Sequence, residues 1–322
     1  MGAETTFNLS TDSYPIMTRK DDTTPQDGLG AQDPLADSGR GGKPLPIDDS
    51  PTGAMARLGA AFSSLGRPDQ AASFYERALT GYRDNNDQGS EAATLSQLAT
   101  AYWKQQDRER AVASFEQALG LYRILGNRSG EATALNCIGL VLDQRGDLDA
   151  ALGYYEQALA ILWDAGDQPG EAATLDVIGM AQRRMGHLPE ALKSHQNALD
   201  IRLKLGDRAG EASTRHGLAL VFEELGQRDK AAVYYEWALR LRQEVHDMPG
   251  EAVTSYNLAR LYQSMGHWEQ AERLLTRAVE IEERIGHPDE AKDRLELIEL
   301  REKLKIKAAG AEETIRAPRI DR

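Results

Sequence analysis

A second cysteine is missing from this 322-residue chain: Cys137 stands alone. An intrachain disulfide is therefore impossible, and a thiolate-rich zinc site is excluded. Aromatic residues are scarce at 6%, and no apolar run approaches the roughly 18 residues that a membrane helix needs. The first twenty residues lack the basic start and apolar stretch of a secretory signal. Basic charge is also in deficit, 38 Lys and Arg against 51 Asp and Glu, for a net charge of -13. A nucleic-acid partner calls for a basic stripe that displaces counterions, so that class is excluded as well. These deficits fit a soluble protein in a reducing cytoplasm, with no membrane partner.

Catalytic signatures are equally thin. The sequence has no H-E-x-x-H, no G-x-S-x-G, no Cys-x-x-Cys and no G-x-G-x-x-G opening a helix. The run 38–44 fails as a phosphate loop, because Asp37 stands where the first glycine belongs and Pro44 follows Lys43. His187, His246, His267 and His287 fall at turns or joints, and His195 takes an aromatic packing position. Cys137 reads as a buried, inert thiol. The expectation is no enzyme, no catalytic residue, no cofactor and no metal.

What the chain has in quantity is small residues, and they are periodic. Rows of forty residues starting at 51 align without a gap, and Glu91, Glu131, Glu171, Glu211 and Glu251 each open a row ahead of an alanine. Two columns are alanine throughout: Ala71, Ala111, Ala151, Ala191, Ala231, Ala271, and Ala78, Ala118, Ala158, Ala198, Ala238, Ala278. Between them lies the mostly aromatic column Tyr75, Phe115, Tyr155, His195, Tyr235 and Leu275. Another column holds Leu58, Leu98, Ile138, Ile178, Leu218 and Leu258, and the next holds only Gly or Ala.

Each row predicts two helices. Leu135, Ile138 and Leu142 recur at three- and four-residue steps, as do Ala151, Tyr155, Ala158 and Leu162. Gly66, Gly146, Gly186, Gly226 and Gly266 share the column between them, where a left-handed residue ends a helix. Gly166-Asp167 and Gly206-Asp207 join rows as a stop followed by an N-cap. Strand signals are absent, so the fold class is all-α. A single pair cannot bury its own apolar face, and stacked pairs form a solenoid.

These residues carry a resemblance. Leu135, Ile138-Gly139, Leu142, Ala151, Tyr155 and Ala158 in one row, and Leu95, Leu98-Ala99, Tyr102, Ala111, Phe115 and Ala118 in another, resemble the tetratricopeptide repeat. The period is forty rather than 34, and a Gly-Asp stop replaces the late proline. Forty-residue units of this kind are similar to those of Leu-Gly-Asn-repeat adaptors, kinesin light chains and bacterial regulators and scaffolds. The resemblance implies a right-handed superhelical solenoid of antiparallel pairs: six repeats over 51–290 and a capping helix over 291–307. Leu295 and Ile298 keep the register there, while Glu296, Glu299, Arg301, Lys303 and Lys305 are expected to give a polar outer face. The segments 1–50 and 308–322 read as tails. The first holds five of the twelve prolines and nine acidic residues, too polar to offset its ordering entropy.

The resemblance also implies a concave face, built by the first helix of each pair, that holds a peptide or protein partner. Four columns fall on it. The first includes Asn136, Asp176, His216 and Tyr256, and the second Leu140, Met180, Leu220 and Arg260. The third and fourth include Trp103, Asp143, Arg183 and Glu223, then Lys104, Gln144, Arg184 and Glu224. An apolar floor flanked by aromatic and arginine side chains has the composition of an interface hot spot. Asp143, Arg183 and Glu223 alternate in sign, so pairing across repeats is the competing reading. A chaperone-tail clamp is not expected, because Ser96 and Asp176 interrupt the Lys104 and Asn136 set. The reading is an interaction scaffold or adaptor, with a ligand-sensing module of a bacterial signalling or transcription system and an accessory subunit of an enzyme complex as alternatives. The sequence leaves oligomeric state open.

Overall fold

The computed structural model describes residues 50–316, with side chains to residue 306. The described residues form thirteen α-helices and no strand. Six antiparallel pairs follow one another: α1 (Pro51–Ser64) with α2 (Pro68–Asp84), α3 (Gln88–Lys104) with α4 (Arg108–Ile124), and α5 (Arg128–Arg145) with α6 (Leu148–Ala165). Then come α7 (Gln168–Arg184) with α8 (Leu188–Leu205), α9 (Arg208–Glu224) with α10 (Arg228–Glu244), and α11 (Met248–Ser264) with α12 (Trp268–Ile285). The last helix, α13 (Glu290–Arg316), has no mate among the described residues. Its range takes in 308–316, part of the stretch read as a tail. The stretch 1–49, with its failed phosphate loop, lies outside the described residues.

Local chemistry sets these boundaries. The backbone N–H groups of Ser90, Arg110, Gly130, Gly170, Gly210 and Gly250 each donate to an Asp or Asn side chain three residues earlier, at 2.9–3.1 Å. Pro169 and Pro249 sit within the first turns of α7 and α11, where no backbone donor is needed. The expected turn glycines all have positive φ, from 67° at Gly66 to 88° at Gly146.

Both alanine columns are wholly buried in all six rows. They allow the helices to approach, and the aromatic column fills the space that remains: Tyr155 lies against Gly139, and His195 against Gly179 and Gly217. Helices therefore form two layers, the first of each pair inside and the second outside, each element touching mainly its chain neighbours. The ends depart from the pattern. Leu58 is 43% exposed, with no earlier pair among the described residues to cover α1, although its column is buried further along. Leu295 and Ile298 are exposed too, since α13 has no second helix among the described residues to receive them; Leu297 and Leu300 face inward instead. The outer face of the cap is thus partly apolar rather than polar.

Candidate functional site

The inner layer is built by α1, α3, α5, α7, α9, α11 and α13, and the structure shows what its side chains do. The first groove column is largely a ladder that ties each repeat to the next. Asn136 Nδ2 donates to Thr174 Oγ1 at 2.8 Å. Thr214 Oγ1 donates to Asp176 Oδ2 at 2.8 Å, and His216 Nδ1 lies 3.1 Å from Thr254 Oγ1. Each rung spans 38 residues, one repeat less two. Tyr256 ends the series by donating to Glu296 Oε2 of α13 at 3.0 Å.

Asp176 is the most heavily used of these residues. Its carboxylate also meets His195 Nδ1 at 2.9 Å and accepts from Arg202 Nη2 at 2.8 Å. Asp176, His195 and Arg202 are all buried, so this is an interior network rather than a recognition surface. His216 is buried beside it. Burial and the charges of Arg242, Arg183 and His195 hold its pKa well below the usual histidine value. Asn257 Nδ2 donates to its Nε2 at 3.3 Å, which leaves Nδ1 as the protonated nitrogen facing Thr254.

A second ladder runs along the rim at a spacing of 41 residues. Trp103 Nε1 donates to Gln144 Oε1 at 2.7 Å, Arg184 is bonded to the Asp143 carboxylate and carbonyl, and Arg183 to Glu224. Arg183 and Arg184 are thus engaged by acidic partners one repeat away, with each pair offset by one column from the alternation seen in sequence. Glu223 instead accepts from Tyr235 Oη at 3.0 Å, and burial raises its pKa.

What the ladders leave open toward the groove is narrower than the sequence columns. Met180 is half-buried, one helical turn before Arg183 and Arg184 on α7. Leu140 and Leu220 lie on the same column but are nearly covered. Trp103 is half-buried, Lys104 is exposed, and Arg260 sits 5.9 Å from the Tyr256 ring centroid. Thr174, Thr214, Thr254 and Arg202 were not singled out from sequence, and Glu296, expected on the outer face of the cap, is instead bonded to Tyr256 and Gln263 of α11. Their signal is a polar residue 38, 26 or 40 positions from a polar groove residue.

Other surfaces are simpler. A groove of about 540 Å³ lies between α6, α7 and α8, with Leu159, Leu175 and Ile201 in its wall beside Trp163. Among the described residues no group of three or more His, Cys, Asp and Glu has the arrangement of a metal site. No helix among them is long and apolar enough to cross a membrane. Cys137 is a buried thiol that forms no disulfide.

Comparisons with known proteins agree with this architecture. Family models described as Tetratricopeptide repeat match residues 90–162, 130–204 and 170–244, and also 54–89 and 254–289. No curated protein matches the sequence. Among solved structures, a signal transduction ATPase with numerous domains and a tetratricopeptide repeat sensor, from Pyrococcus horikoshii, superimposes with a TM-score of 0.66 at 17% identity. That match covers 82% of this chain and 42% of the other. BtubC from P. vanneervenii gives 0.58 at 22% identity, covering 73% and 93%. Aspartyl phosphate phosphatase F from Bacillus subtilis gives 0.59 at 13%, covering 78% and 70%.

Proposed function

We propose a function from one premise: the chain belongs to the tetratricopeptide-repeat family. Proteins of this family are in general interaction modules, and this one acts as a non-enzymatic scaffold that holds a peptide segment of a partner protein along its concave layer. One observation supports the reading above the others. Arg183 and Arg184, one turn beyond Met180 on α7, are already paired with Glu224 and Asp143 of neighbouring repeats, so a ligand would meet Met180 beside a preorganised polar frame. Ordering costs that a flexible site incurs on binding are thereby reduced, and the fixed signs along the rim bias the choice of partner.

Selection of peptides from a random library on the immobilised full-length chain tests this. A selected peptide should lose at least tenfold in affinity, about 1.4 kcal/mol, on Met180→Asp, with circular dichroism unchanged. Trp163→Ala on the outer layer should leave affinity intact. Binding that survives Met180→Asp, or that disappears with Trp163→Ala, places the interaction elsewhere. Charge reversal at Arg183 or Arg184 is a poor probe, because it breaks a rung as well as the surface.

A further inference from the structure

The seam between α12 and α13 contains an unusual pair. Glu282, in the last turn of α12, is 1% exposed, and Asp293, in the first turn of α13, is 0% exposed. Both lie on the packed α12–α13 seam, and each carboxyl acts on the other's titration. Among the described residues no donor reaches Glu282 Oε2 or either oxygen of Asp293. Nearby arginines are occupied on the outside: Arg294 pairs with Glu290 and Glu283, and Arg301 with Glu272. Buried carboxylate oxygens are ordinarily satisfied by donors, and two facing carboxylates without a cation repel. A proton on one of them turns the repulsion into an O–H···O⁻ hydrogen bond, the short and strong kind.

The surroundings reinforce this need. Glu282 sits at the negative end of the α12 dipole. The charged and titratable groups facing the pair are Tyr256 on α11, Asp289 in the joint beside His287, and Glu290, Lys292 and Glu296 on α13. Lys292 is the one cation in that set. Burial, with the neighbouring acids behind it, raises both carboxyls above their ordinary range. The seam also fixes the end of the inner layer, since Glu296 accepts from Tyr256 Oη at 3.0 Å and from Gln263 Nε2 at 3.2 Å.

We propose that α13 is a detachable last wall of the concave layer, docked while the Glu282–Asp293 pair holds one proton and released when both carboxyls ionise. The docked state binds more protons than the released one, so docking is strongest below the ordinary carboxylate range and weakens as pH rises past it. Release uncovers Tyr256 and Gln263 at the C-terminal end of the groove. The switch stands apart from the groove reading, since it concerns the chain alone.

Hydrogen exchange of the α13 amides, corrected for intrinsic rate, reads docking directly. In the full chain, protection over 290–306 should fall at least tenfold between about pH 5.5 and about pH 9, a span that crosses the raised carboxyl range, while α5 and α6 stay unchanged. Glu282→Gln supplies an N–H donor without the charge, and should keep α13 protected at both values. Asp293→Asn should do the same from the other side, and Glu290→Gln should retain the step. A wild-type chain without the step overturns the proposal. So does a step that persists in both Glu282→Gln and Asp293→Asn, or α13 unprotected at every pH in both.

Discussion

An added β-carbon at Gly139 would lie 2.5 Å from the Tyr155 ring, which is itself fully buried and has nowhere to move. Gly153 on α6 faces outward, with nothing within 4 Å of the same added carbon. Identical substitutions should therefore act with opposite signs. Gly153→Ala should stabilise the fold by about 0.5–1 kcal/mol through helix propensity and a stiffer unfolded chain. Gly139→Ala should cost about 1–3 kcal/mol by overpacking, despite the same gain in propensity. The midpoint of urea unfolding decides, and matching shifts would show that the Gly139–Tyr155 contact does not constrain the seam. The sequence shows that position 139 needs a small residue, since its column holds only Gly and Ala, while the Gly153 column runs Ser73, Ala113, Gly153, Lys193, Val233, Arg273; that alanine itself is refused opposite Tyr155 is visible only in the structure. The fate of Arg183 and Arg184 was not legible. Their charge is visible in the chain, but the partner one repeat and one residue away is fixed only by how far successive helices are displaced.

Helix ends obey a period half that of the repeat. A residue with positive φ occurs every twenty positions from Gly66 to Gly286, and three of the twelve are not glycine: Asn86, Gln106 and His246. The pair geometry imposes this conformation whatever side chain is present, because two straight helices must reverse across two or three residues. The turn glycines announced their role from sequence. Gln106 gave no sign, since its column identity says that a left-handed residue is required there but not that the fold tolerates a strained one. A left-handed glutamine costs about 1–2 kcal/mol relative to glycine, whereas asparagine bears the conformation more easily through local hydrogen bonding. Gln106→Gly should then raise stability by about 1 kcal/mol, and Asn86→Gly by distinctly less. Thermal unfolding of the two variants checks this order, and equal gains, or a loss at Gln106, would mean that strain does not reside in the turn.

At the scale of the whole chain the apolar core is not continuous. One cluster runs from Ala71 to Ala181 and a second from Leu218 to Leu300, and between them α8 contributes buried Ser194, His195 and Arg202. The sequence shows the break only as a histidine in an aromatic column. What it could not show is that Asp176 gathers His195, Arg202 and Thr214 onto one carboxylate and so adds hydrogen bonds to the hydrocarbon contacts of Leu192 and Leu199 in joining the halves. In a solenoid the interfaces between neighbours decide whether the array unfolds as one unit. Removing the shared acceptor leaves a buried guanidinium and imidazole short of a partner, at a cost of about 3–5 kcal/mol concentrated at this seam. Asp176→Ala should consequently uncouple the halves, giving two urea transitions, each with about half the wild-type slope because each exposes about half the surface. The four tryptophans allow a direct check, with Trp103 and Trp163 in the first half and Trp237 and Trp268 in the second. Replacing either pair by phenylalanine leaves a reporter for the other half. In the wild-type background both reporters should follow one curve; with Asp176→Ala they should separate, and the half that melts first identifies the weaker cluster. Coincident curves in that variant would mean that the alanine and aromatic columns couple the repeats across the polar seam without help from Asp176.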